Sequence, residues 1–234
     1  MAANPVVSRE KWLEARKALL AKEKAFTRER DALSAARRDL PWVKIEKPYT
    51  FQTERGEESL ADLFGSCSQL LVYHFMFGPE WEEGCPSCSY LADGYDHLPI
   101  HMRHRDISFI TVSRAPLEKI EAYKNRLGWS FDWVSSNGSD FNADFHVSFS
   151  AEELQGDIYY NYHMTTFPAD EAPGISAFIK NDAGEIFHTY SSYSRGLDAL
   201  IGAYQFIDLA PKGRDEDTLD WTMQWLRRRD QYED

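Results

Sequence analysis

One stretch limits the fold more than any other. Leu70-Leu71-Val72-Tyr73-His74-Phe75-Met76-Phe77 is apolar or aromatic except at His74, and Gly78-Pro79 closes it. A continuous run of this kind suits a central strand covered on both faces, and so a layered α/β sheet. A short loop leads on to Cys85-Pro86-Ser87-Cys88, and Ser89 to His97 then reads as a helix. A pair of thiols where a strand turns into a helix is a chemical device. Helix N-termini carry partial positive charge and free N–H groups, which favour a thiolate over a thiol. Cys85 is the attacking sulfur in this reading, and Cys88, one turn on, closes the intramolecular disulfide. Pro86 fits the first turn, where its missing N–H costs nothing.

Cys-x-x-Cys also occurs in zinc sites, which commonly use four ligands in two spaced pairs. Cys67 is the only other cysteine, so histidines would have to complete the set. Cys85, Cys88, His101 and His104 are that rival. Arg103 and Arg105 beside the histidines favour a solvated loop. After a strand, inside an alternating β/α pattern, the pair reads as redox-active, a chemistry that needs no bound cofactor.

The net charge of −12 argues against a nucleic acid or an anionic membrane as partner. No apolar span approaches transmembrane length, and no signal-peptide core precedes Ser8. Three cysteines do not make a secreted disulfide framework, so a reducing cytoplasm is the expected address.

Residues 8 to about 39 read as one long helix capped by Ser8 and ended by Pro41. Trp12, Ala15, Leu19, Lys22, Phe26 and Leu33 fall near heptad spacing, a thin stripe that should dock on the body or on a second copy, so a homodimer is expected. A strand over 42–52, a turn at 54–57 and a short helix over 59–64 follow. After the dithiol helix, Asp106 to Ser113 is a β-branched and aromatic strand, and Pro116 opens a helix to Leu127 with Gly128 at its end. Strand, helix, strand, helix implies a right-handed parallel unit. Trp129 to Trp133 reads as a short strand and 137–145 as a loop. Ser150 caps a turn, and 157–166 is an insertion loop. Pro173 opens a strand, Asp182-Ala183-Gly184 turns it, and 185–190 returns as a hairpin. Helices are expected over 191–208 and 218–228, with Arg227-Arg228-Arg229 suiting the last helix dipole.

Phe51, Gly56, Leu60, Phe64 and Gly65 ahead of the apolar strand resemble the opening of thioredoxin-like proteins. His74-Phe75-Met76-Phe77, Cys85-Pro86-Ser87-Cys88-Ser89, His188-Thr189-Tyr190-Ser191, Arg195-Gly196 and Asp208 to Glu216 resemble the bacterial family called domain of unknown function 899. That resemblance implies a thioredoxin-like α/β fold, a central mixed sheet flanked by helices, with a long N-terminal helix and a C-terminal helical extension. The corresponding boundaries are an arm over 1–41, the domain over 42–211 and a tail over 212–234. It implies a dithiol-disulfide oxidoreductase acting on a protein or small-molecule thiol or disulfide. The alternative is a thioredoxin-fold binding module with an inert or zinc-capped pair. Pro173 matches the proline that faces the dithiol in the cis form in such folds, and Trp81, Pro86 and Pro173 become candidate substrate contacts. Glu82 stands where peroxiredoxins need a threonine, which disfavours peroxide reduction by their mechanism. His74 falls near the place of the buried thioredoxin aspartate, a candidate proton-transfer group for Cys88. Glu80, Glu82 and Glu83 are expected to raise the thiol pKa and favour a reductant.

Overall fold

The computed structural model describes residues 4–233. They fall into two units, a segment through Pro41 and a body from residue 42 onward.

The first unit is α1 (Arg9–Arg38), whose Ser8 cap accepts a hydrogen bond from the Lys11 amide and whose last turn carries Arg37 and Arg38. No residue of α1 is buried.

The body opens with β1 (Val43–Lys44), β2 (Thr50–Thr53) and β3 (Gly56–Ser59), the last two forming a hairpin across the expected turn. Only Asp62–Phe64 of the expected short helix forms, as a 3-10 turn. Next come β4 (Gln69–His74), α2 (Pro86–Tyr95), α3 (Pro99–Arg103), β5 (Ile107–Ser113) and α4 (Leu117–Arg126). The histidine loop is thus partly helical. β6 (Trp133–Ser135) starts four residues later than expected, because Trp129 and Phe131 pack as core rings instead. α5 (Phe141–Asp144) occupies the expected 137–145 loop. Its Phe141 is fully buried, and that burial orders a segment whose polar sequence reads as loop. The insertion holds a small hairpin, β7 (Ile158–Tyr160) and β8 (His163–Thr165).

β9 (Gly174–Lys180) and β10 (Ile186–Tyr193) form the second hairpin. Strand β10 continues through Ser191 and Tyr193, paired with Ser176 and Gly174, so the helix expected from 191 is displaced. A 3-10 segment, Ser194–Leu200, and α6 (Gly202–Ile207) take up the remainder. The expected 218–228 helix is absent. That segment is irregular, and one 3-10 turn follows at Arg229–Gln231.

The main sheet runs β1-β10-β9-β4-β5-β6-β2-β3. β4, β5 and β6 are parallel, while β9 lies antiparallel to β4 and β10 antiparallel to β9. The order β5-β4-β9-β10, with α2 and α4 as crossovers and a helical segment after the hairpin, is a thioredoxin-like fold. Side chains alternate along β4. Leu70 and Val72 join one core with Phe141, Phe145 and Phe178. Tyr73 joins the other, with Phe75, Cys88, Leu91 and Trp133. Burial on both faces is what the continuous apolar run anticipated.

Candidate active site

Four tethers fix the loop between β4 and α2. Lys119 Nζ donates to the carbonyls of Pro79 (2.9 Å) and Trp81 (3.3 Å). The Trp81 indole donates to Asp170 at 2.9 Å. The Cys85 amide donates to the Met76 carbonyl at 3.0 Å. Gly84 is buried against aromatic rings: a Cβ there would lie 2.7 Å from Phe75 and 2.9 Å from Tyr123. The residue before Cys85 therefore has to be glycine for the loop to reach the core.

Cys85 is the N-cap of α2 and Pro86 its first residue. Both sulfurs are free thiols. Cys88 is 2 % exposed and accepts a hydrogen bond from the Met76 amide at 3.5 Å. The two thiols are driven apart. A hydrogen bond from Cys88 is the main influence holding Cys85 down at about 7, helped by the Cys88 and Ser87 amides and the Arg228 charge, with burial opposing. Burial first, then the hydrogen bond and the charge of Cys85, pushes Cys88 well above an ordinary thiol.

This corrects the expectation that acidic neighbours would raise the Cys85 pKa. Glu80 and Glu82 are exposed. Glu83 is paired with Arg126 and with Arg228 Nη1 at 2.7 Å. Its charge is offset by these two arginines.

Beside Cys88 opens a cavity of about 200 Å³ lined by Tyr73, Met76, Pro173, Arg195 and Met223 among others. Pro173 thus shares a cavity with Cys88, while Cys85 does not line it, and the bond before Pro173 is trans where the resemblance implies cis. Trp81 packs in the same apolar cluster as Cys85 but does not line this cavity.

His74 does not join the dithiol. Its ring stacks with Phe141 and Phe145 in the opposite core and shares a hydrogen bond with Ser176 Oγ at 2.9 Å. Burial, then the His188 charge, lowers its pKa to about 3, so it stays neutral. Tyr73, one position earlier, lies on the dithiol side, in the same core and cavity wall as Cys88. Strand parity carried the signal for Tyr73. None marked Arg228 or Tyr123, whose hydroxyl bonds Ser89 Oγ (2.9 Å) behind the dithiol turn. Among the described residues no three metal-ligating side chains converge. No described helix is long and apolar enough to cross a membrane.

Comparison with curated proteins gives no match. Among solved structures the chain is similar to peroxidoxin BcpB of Mycobacterium tuberculosis, at TM-score 0.42 and 11 % identity over 72 % of this chain and 97 % of that one. It is similar to peroxiredoxin Q of Xanthomonas campestris, at TM-score 0.42 and 13 % identity over 68 % and 89 %. Likenesses this distant carry no functional argument. The sequence itself matches, over residues 1–232, the family described as bacterial protein of unknown function (DUF899), and the chain belongs to that family.

Proposed function

We propose that the protein is a thiol-disulfide oxidoreductase in which Cys85 attacks and Cys88 resolves. The observation that carries this reading is the split between two adjacent thiols, one held near 7 at a helix N-cap and one held protonated beneath it. The Cys85 thiolate attacks a substrate disulfide. A mixed disulfide forms and the first substrate thiolate leaves with the electron pair, taking a proton from solvent. With Cys85 now neutral, the charge that raised the Cys88 pKa is gone, so Cys88 can lose its proton. Its thiolate attacks the Cys85 sulfur and the second substrate thiolate leaves. The substrate disulfide is reduced to two thiols, and the Cys85–Cys88 pair is oxidised to a disulfide. A reducing thiol of another molecule must reset the pair.

A Cys85 value near 7 lies where thioredoxin-type dithiols sit, far from the roughly 3.5 of a strong oxidant. The protein is therefore read as a reductant, working in a reducing compartment, on a small-molecule or protein disulfide.

The test is the redox midpoint of the pair by thiol trapping across a dithiothreitol or glutathione series. A reversible two-electron transition near or below the cytosolic poise, lost in Cys85→Ser, is expected. No reversible transition would place the chain among thioredoxin-fold binding modules.

A further inference from the structure

The C-terminal segment carries a residue into the dithiol turn. Arg228 is one of three consecutive arginines, and its side chain is 13 % exposed. Nη2 donates to the Gly84 carbonyl at 2.7 Å, Nε to the Tyr123 hydroxyl at 2.8 Å, and Nη1 pairs with Glu83 at 2.7 Å. All three guanidinium nitrogens are thus engaged within two residues of Cys85 or on the tyrosine behind it. The Gly84–Cys85 peptide is gripped at both ends, its carbonyl by Arg228 and its N–H by the Met76 carbonyl. A cation on that carbonyl polarises the peptide, so the N–H of the nucleophile's own residue becomes more positive. Arg229 pairs instead with Asp93, and Arg227 turns to the carbonyls of Gln224 and Leu226. Of the three, Arg228 alone reaches the turn.

Resting on the dithiol reading above, we propose that Arg228 is a positioning residue of the active site: it clamps the Gly84–Cys85 peptide, cancels the Glu83 carboxylate and so keeps the Cys85 sulfur reactive. The charged and titratable groups around the dithiol turn come from several elements. Tyr73 comes from β4, Cys88 from α2, Tyr123 and Arg126 from α4, Glu83 from the loop and Arg228 from the C-terminal segment. Arg126 turns to Glu83 and Asp230, which leaves Arg228 as the cation acting on Cys85.

The test follows the pH dependence of Cys85 alkylation by iodoacetamide in the full chain, read by peptide-resolved mass spectrometry. Arg228→Gln is expected to raise the midpoint by about half a pH unit, a roughly threefold loss of thiolate at pH values below it. Glu83→Gln in that background should recover most of the shift, and Arg228→Lys, which keeps the charge without the fork, should recover part. An unchanged midpoint in Arg228→Gln overturns the proposal, since a merely structural residue would alter stability and leave the titration alone. If Arg228→Gln does not fold, Glu83→Gln alone decides. It should lower the midpoint by leaving the arginine uncompensated, and no movement overturns the proposal. The redox titration of the unaltered chain stands apart: its failure sinks the dithiol reading, whatever Arg228 does.

Discussion

At the scale of single residues, Cys85 and Cys88 show how placement sorts two identical side chains. The N-cap position and the neighbouring thiol favour one anion, and the second anion is then blocked by the first and by burial. Alkylation of Cys85 should therefore rise through a midpoint near pH 7, with Cys88 unreactive over the same range. Equal rates at both sulfurs would contradict this. Gly84 offers a steric counterpart. Gly84→Ala must push a methyl into the Phe75 and Tyr123 rings, at a cost of about 1–3 kcal/mol for overpacking. Thermal unfolding should show the loss, together with a raised Cys85 midpoint. The placement of the two cysteines at a strand-to-helix turn was legible in the sequence because strand, loop, proline and cysteines are contiguous. The proton-transfer candidate was not. His74 and Tyr73 are neighbours, and one residue on a strand is the whole difference between the two faces of a sheet.

Among elements, the segment leading into β9 binds the dithiol loop to the sheet. Asp170 takes the Trp81 indole N–H, while Glu171, 1 % exposed, accepts from Arg114 Nε and Ser148 Oγ, each at 2.6 Å. Burial outweighs Arg114 and pushes the Glu171 pKa from 4.5 to about 7. A carboxyl whose folded pKa is raised favours folding fully below 4.5, and that contribution is lost as pH rises through 7. Melting temperature should thus fall between about pH 4.5 and 7 relative to Glu171→Gln. Parallel curves would show that the carboxyl does not titrate in this window. A different exposure marks α1. Trp12, Leu19, Phe26 and Leu33 recur every seven residues and all are exposed. Light scattering is expected to find a dimer and Phe26→Glu a monomer; a monomeric parent chain would rule this pairing out.

For the molecule as a whole, the C-terminal segment was the least legible part. Leu219, Trp221, Trp225 and Leu226 mimic helical spacing, yet the chain there is irregular. Glu216 replaces the helical ladder, its Oε1 accepting from the Tyr204 hydroxyl, the Met223 amide and the Trp225 indole at 2.6–3.0 Å. Side-chain bonds of that kind leave no periodicity to read. Leu226 is buried, and Met223 and Trp225 pack against the dithiol-side core. Ending the chain after Pro211 should lower stability by about 2–5 kcal/mol, the cost of a large core deletion. Chemical denaturation measures it, and an unchanged midpoint would show the segment to be dispensable.

The clamp also has a consequence in time. Gly84 and Arg228 meet across 144 positions of sequence. A ribosome delivers both cysteines and the strand beneath them long before the arginine emerges. Until then Glu83 lacks its Arg228 partner and the turn is held from one side only. If Arg228 tunes Cys85 as proposed, the newborn chain is expected to carry a less acidic thiol than the finished one, which alkylation of ribosome-stalled chains with and without residue 228 would read.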